Sequence, residues 1–161
     1  MPVKNDGATH QGLALGDIAP DFTLSNQFGE PMSLVGLRGT AVALVFYPFA
    51  FSGICTGELG ELQDNVGDFE KAGVHLLAIS VDTKYTLRAY AQAQGYFFDL
   101  LADFWPHGQV AQSYGVFDAD RGMATRSTFL ITADGVLADT FSTPTGQARP
   151  LARYRQALER L

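Results

Sequence analysis

Residues 40–59, "TAVALVFYPFAFSGICTGEL", change character halfway, and that change decides how the chain folds. The first half, through Tyr47, is a short unbroken apolar run rich in Val, Leu and Phe, which predicts a strand buried on both faces. Pro48 ends it by withdrawing a backbone donor. From Gly53 onward Leu59, Leu62, Val66 and Phe69 recur at three- and four-residue spacing. That spacing predicts an amphipathic helix closing near Gly73. Cys55, the only cysteine of the chain, stands at the start of this helix.

Working outward, "VHLLAISVD" (74–82) reads as a second buried strand, and residues 87–94 as a helix that Gly95 stops. "FDLLAD" (98–103) is followed by a turn and a helix opening at Pro106 and ending near "YGVF" (114–117). "STFLITADGVLADTF" (127–141) predicts a hairpin, because Asp134-Gly135 suits the positive φ of a tight turn. "ARYRQALERL" (152–161) closes the chain as a helix, with Leu151, Tyr154, Leu158 and Leu161 on one side. The order β-α-β-α-β, then a hairpin, then a helix, predicts parallel central strands joined by right-handed crossovers, with antiparallel strands added. The fold class is therefore α/β: a thioredoxin-like sandwich, a central mixed sheet flanked by helices. Residues 1–161 read as a single domain, with 1–14 as a flexible N-terminal extension.

Bulk properties narrow the function. A chain of 161 residues, 47% hydrophobic and 17% charged, can bury a core without a disulfide or a metal. A net charge of -6 argues against nucleic acid as a partner, since that binding draws on clustered Lys and Arg. The longest apolar stretch, residues 41–51, falls short of the roughly 20 residues a membrane helix needs. The opening "MPVKNDGATHQGLALGD" has no apolar signal segment, so a cytoplasmic protein without membrane contact is expected.

The position of Cys55 has chemical consequences. In open α/β sheets, sites lie beyond the carboxyl ends of the strands, where this residue falls. In the first turn of a helix a cysteine meets unpaired backbone N–H groups and the positive end of the macrodipole, and both favour thiolate over thiol. Without that context a lone cysteine is more simply a small buried hydrophobe. A dithiol motif is excluded, because the place three residues on holds Glu58. No internal disulfide can form, so any oxidation must be resolved through another molecule. His10, His75 and His107 lack metal-ligand spacing, and the glycines of "GELGEL" and "FGEP" lack a phosphate-binding pattern. Neither a metal nor a nucleotide cofactor is expected.

"PFAFSGIC" resembles the peroxiredoxin signature, in which Pro, three residues, Thr or Ser, and two residues precede the peroxidatic cysteine; here these are Pro48, Ser52 and Cys55. "GDIAPDFTL" (16–24), "LADFWPHGQVAQSYGVF" (101–117) and "ATRSTFLI" (124–131) extend the resemblance over nearly the whole chain. "FSGICTGEL" with "DFWPHG" is similar to the AhpE-like branch, which works with one catalytic cysteine.

The resemblance implies a peroxiredoxin-type fold and a thiol-dependent peroxidase acting on hydrogen peroxide, organic hydroperoxides or peroxynitrite. Cys55 would become a sulfenic acid. Ser52 and backbone N–H groups near Ile54 and Cys55 would hold the peroxide, Arg126 would be a fixed cation beside sulfur and oxygen, Pro48 would limit access, and Glu58 would brace Arg126. Magnitudes rank these roles. A free thiol is already several per cent ionised at neutral pH, so full ionisation adds about tenfold, ~1.4 kcal/mol. Enzymes lower barriers by about 8 kcal/mol or more, so alignment and charge stabilisation by Arg126 and Ser52 must carry most of the acceleration. Recycling needs an external thiol: mycothiol with a mycoredoxin-like protein, thioredoxin, or another low-molecular-weight thiol. A homodimer through the aromatic loops around Phe51 and Trp105 is also implied. The competing reading is a redox-sensing or holdase-type interaction protein switched by Cys55 oxidation. Catalytic peroxide consumption with a recycling thiol separates the two.

Overall fold

The computed structural model describes residues 13–161, so residues 1–12 of the expected extension lie outside the described residues. Of its last two residues, Leu13 packs against a core cluster and the Ala14 amide donates to the Asp17 carboxylate at 2.8 Å.

The apolar run first noted forms β3 (Ala41–Phe46), fully enclosed beyond its first residue. Its side chains alternate between two cores. Ala43, Val45 and then Tyr47 enter one, and Val42, Leu44 and Phe46 the other. This is the period-two pattern of a central strand. β3 pairs in parallel with β4 (Val74–Ser80), and β4 with β5 (Asp99–Ala102). On the other flank β3 pairs antiparallel with β8 (Arg126–Ile131), and β8 with β9 (Leu137–Thr143). Asp134-Gly135 makes the connection, with Gly135 at φ +86° and the Thr132 amide bonded to the Val136 carbonyl at 2.8 Å.

Four short strands were not anticipated, two of them in the main sheet. β1 (Thr23–Ser25) and β2 (Pro31–Ser33) form an antiparallel pair at the far edge, and Ser25 of β1 pairs with Ala102 of β5. The turn between them is built by a side chain: Asn26 Oδ1 accepts the amides of Phe28 at 2.9 Å and Glu30 at 3.0 Å. Seven strands thus lie in the order β2-β1-β5-β4-β3-β8-β9, and β6 (Phe117–Asp118) and β7 (Met123–Ala124) form a separate ribbon.

The helix expected from Gly53 to near Gly73 is two helices, α1 (Gly53–Asp64) and α2 (Val66–Lys71). Asn65, at φ -118°, interrupts the turn, and its side chain donates to the Glu61 carbonyl at 2.9 Å, capping the first helix from within. α3 (Lys84–Gln94) ends at Gly95, which is left-handed at φ +75° as the stop signal required. α4 (Gln109–Ser113) begins three residues past Pro106, and α5 (Leu151–Leu158) closes the fold. The first core cluster joins Cys55, Leu59, Leu62, Phe69, Leu87, Tyr90 and Tyr154, from α1, α2, α3 and α5, to one face of the sheet. Val110, Ala111 and Tyr114 cover the other face. The fold is the expected mixed sheet between helices, with the β3-to-α1 junction at the carboxyl end of its central strand.

Candidate active site

Four residues of α1 share one face at positions i, i+3, i+4 and i+7: Cys55, Glu58, Leu59 and Leu62 are all buried. Three of them are a core stripe. The fourth, Glu58, is a carboxylate only 4% exposed, one turn beyond the completely buried Cys55. A charge so placed must be paired.

Two guanidinium groups pair it. Arg126, the first residue of β8 and 2% exposed, donates from Nη1 to Glu58 Oε1 at 3.1 Å and from Nε to the Thr145 carbonyl at 2.7 Å. Arg149, 1% exposed and just ahead of α5, makes the closer union. Its backbone amide and Nε both reach Oε2, at 2.6 and 2.9 Å, and its Nη2 reaches Oε1 at 2.8 Å. Its Nη1 donates to Thr128 Oγ1 at 3.0 Å. Burial works against Glu58 ionising, but the hydrogen bonds and charge of Arg149, joined by the charge of Arg126, outweigh it and hold the carboxyl below its usual value. Burial likewise opposes the charge of Arg149, and Tyr154, Glu58 and Cys55 more than offset it. Two cations against one carboxylate leave one positive charge in excess beside Cys55.

The loop entering α1 is held from both sides. Ser52 occupies the cap position, yet its hydroxyl donates to the Phe49 carbonyl at 3.0 Å rather than capping the helix. The first N–H groups of α1 are therefore left without that partner. Asp82 Oδ2 accepts the Ala50 amide at 2.8 Å and the Ser80 hydroxyl at 2.7 Å, tying this loop to the end of β4. Phe51 lies at φ +69°, a left-handed conformation that costs a bulky residue about 1–2 kcal/mol. It packs on Tyr90 with ring centroids 4.8 Å apart, which offsets that strain. Pro48, near the start of the same loop, is buried.

Of the five residues singled out from the sequence, Cys55, Ser52 and Pro48 lie within one loop-helix junction, and Glu58 joins it to Arg126 at the start of β8, on the same face of the sheet. The bracing of Arg126 by Glu58 is present as one hydrogen bond. The bidentate partner of Glu58 is Arg149, which sequence reasoning missed. Its signal was indirect: a glutamate on an apolar stripe asks for more donors than one guanidinium supplies. Among the described residues, no group of three or more His, Cys, Asp or Glu side chains has a metal-binding arrangement, and no helix is long and apolar enough to cross a membrane.

Residues 15–140 match the AhpC/TSA family. Alkyl hydroperoxide reductase E of Mycobacterium tuberculosis is 43% identical over 150 residues, 92% of this chain and 98% of that relative. Peroxiredoxin Bcp of Escherichia coli is 37% identical over 135 residues, 80% of this chain and 85% of its own. Among solved structures, AhpC of Enterococcus faecalis superposes with a TM-score of 0.83 at 26% identity, covering 90% of each chain.

Proposed function

The chain belongs to the AhpC/TSA family of peroxiredoxins, and from that premise we propose a thiol-dependent peroxidase in which Cys55 is the peroxidatic residue. The observation that carries the assignment is the Cys55–Glu58 helix face, where the buried thiol lies one turn from a carboxylate that gathers Arg126 and Arg149. The thiolate attacks the terminal oxygen of the peroxide in line with the O–O bond. An S–O bond forms as the O–O bond breaks, sulfur loses two electrons, and the leaving oxygen departs as water or an alcohol after taking a proton.

Negative charge moves from sulfur to the leaving oxygen, so the useful groups are fixed donors around that path. Arg126 commits Nε and Nη1 to protein acceptors, and its Nη2 makes no hydrogen bond among the described residues, leaving that edge for the peroxide. The N–H groups of Ile54 and Cys55, in the first turn of α1, serve alongside it. Ser52, already a donor to Phe49, accepts the peroxide's own O–H. Pro48 keeps water and bulky oxidants off the sulfur.

The sulfenic acid condenses with an external thiol, releasing water and giving a mixed disulfide, and a second thiol restores Cys55. Mycothiol with a mycoredoxin-like protein, thioredoxin, or another low-molecular-weight thiol fits this chemistry. Hydrogen peroxide, organic hydroperoxides and peroxynitrite are the candidate oxidants. A homodimer is supported by the aromatic surface of the loops near the site, where Phe51 and Trp105 are 52% and 79% exposed. A cytoplasmic location fits a cycle that depends on reduced thiols. Steady-state peroxide consumption, assayed with each reducing system in turn, tests the reading. Turnover with at least one and none in Cys55→Ser is expected, and a Cys55→Ser variant that still turns over would falsify it.

A further inference from the structure

Asp82, just past the end of β4, is a half-buried carboxylate that forms no salt bridge among the described residues. A carboxylate so placed is satisfied by hydrogen bonds instead. Its Oδ2 accepts the Ser80 hydroxyl at 2.7 Å and the Ala50 amide at 2.8 Å. The completely buried Ser80 thus braces the oxygen that holds Ala50. Helix capping does not account for Asp82, because the neighbouring Thr83 caps α3, accepting the Thr86 amide at 3.2 Å. What Asp82 holds is a loop 32 residues away.

That loop leaves the sheet once the Tyr47 amide has donated to the Ile79 carbonyl at 3.0 Å. Pro48 then offers no donor. The amide and the hydroxyl of Ser52 both turn back to the Phe49 carbonyl, at 3.5 and 3.0 Å, so these bonds shape the loop from within without tying it to the sheet. The Ala50 amide instead reaches out to the segment after β4. Ala50 directly precedes Phe51, which sits at φ +69°, a conformation that a bulky residue keeps only where its surroundings impose it. Phe51 in turn precedes Ser52, the cap position of α1. The carboxylate on one side and the Tyr90 ring on the other, 4.8 Å from the Phe51 ring, hold the strained residue in place.

We propose that Asp82 is a positioning residue for the peroxide: through the Ala50 amide it keeps Phe51 left-handed, and so sets where Ser52 and the first N–H groups of α1 stand. The inference rests on the peroxidase reading of Cys55. Asp82 touches neither the peroxide nor the sulfur. Loss of the tether lets Phe51 relax, and the donors that align the O–O bond move with it, while the thiol remains on α1. A reaction that needs this alignment then slows, and a reaction of the same thiol that draws on none of those donors does not.

The test compares two reactions of Cys55 in the wild type, Asp82→Ala, Asp82→Asn and Ser80→Ala. Oxidation by hydrogen peroxide is followed in stopped flow, and alkylation by iodoacetamide is followed by intact mass at the same pH. The ratio of the two rates cancels the fraction of thiolate. In Asp82→Ala oxidation should slow by about tenfold to a hundredfold, as for a reactant displaced by about an ångström, with alkylation changed less than about twofold. Asp82→Asn keeps an acceptor for Ala50 in the same place, so its oxidation rate should stay within about threefold of the wild type. Ser80→Ala removes only the brace; it should lower the ratio by an amount between these, and it carries the test if Asp82→Ala does not fold. An unchanged ratio in the folded variants overturns the role of Asp82. An equal loss in Asp82→Asn and Asp82→Ala overturns it too, since the charge and not the tether would then be the cause. Failure of the wild-type protein to gain an oxygen on Cys55 overturns the peroxidase reading instead.

Discussion

Arg149 grips Glu58 with both its main chain and its side chain: the backbone amide and Nε meet Oε2 at 2.6 and 2.9 Å while Nη2 meets Oε1 at 2.8 Å. One carboxylate thereby fixes the start of α5, through Arg149, and the start of β8, through Arg126, to the helix that carries Cys55. The same contact orders the site and holds together three elements distant in sequence.

Removing the charge of Glu58 should therefore cost stability before it costs chemistry. Glu58→Gln leaves two buried guanidinium groups without their counter-ion, and a loss of about 3 kcal/mol is expected at neutral pH. The folded pKa of Glu58 lies below the usual 4.5, so its contribution is fully present above that value and is lost as pH falls through the folded pKa. Urea unfolding at a series of pH values should show the gap between wild type and variant closing below about pH 4.5. A gap that does not depend on pH contradicts the pairing described.

Arg126→Lys keeps a charge but removes the planar fork that reaches Thr145 and Glu58 while leaving Nη2 free. The rate of Cys55 oxidation in stopped flow should fall by a factor of about ten to a thousand, roughly 1.4 to 4 kcal/mol. Glu58→Gln should slow it less. An unchanged rate in Arg126→Lys would mean that this arginine is a structural cation only.

The strand-to-helix switch at residues 40–59 and the Asp134-Gly135 turn were legible because each rests on local chemistry: apolar periodicity in one case, a positive-φ glycine in the other. The place of Cys55 at a helix start was legible from the change of pattern, and the pairing of Arg126 with Glu58 was expected through resemblance. The break at Asn65 was hidden because Leu62, Val66 and Phe69 keep helical spacing across it. β1 and β2 are too short to show a period, and their turn is closed by the Asn26 side chain. Arg149 acts 91 residues from its partner, and nothing in "GQARPLA" announces it. The left-handed Phe51 is set by the Tyr90 ring and the Asp82 tether, which are tertiary facts.

The exposed aromatic surface makes a quaternary prediction. Light scattering at micromolar concentration should give the mass of a homodimer, and Trp105→Ala, which truncates a side chain 79% exposed in the single chain, should weaken association at least about tenfold. A strictly monomeric wild-type protein counts against the dimer.

The central claim is that a single thiol takes the oxygen and cannot resolve it within the chain. Cys55 is the only cysteine and is fully buried, so a disulfide between two copies would need both enclosed sulfurs to reach bonding distance. Intact mass under non-reducing conditions, after one equivalent of hydrogen peroxide, is the most direct measurement. The expected product is a monomer heavier by one oxygen, trapped by dimedone at Cys55 and converted to a mixed disulfide by a small thiol. Conversion of most of the protein to a covalent dimer, or no gain of mass at Cys55, would contradict the account.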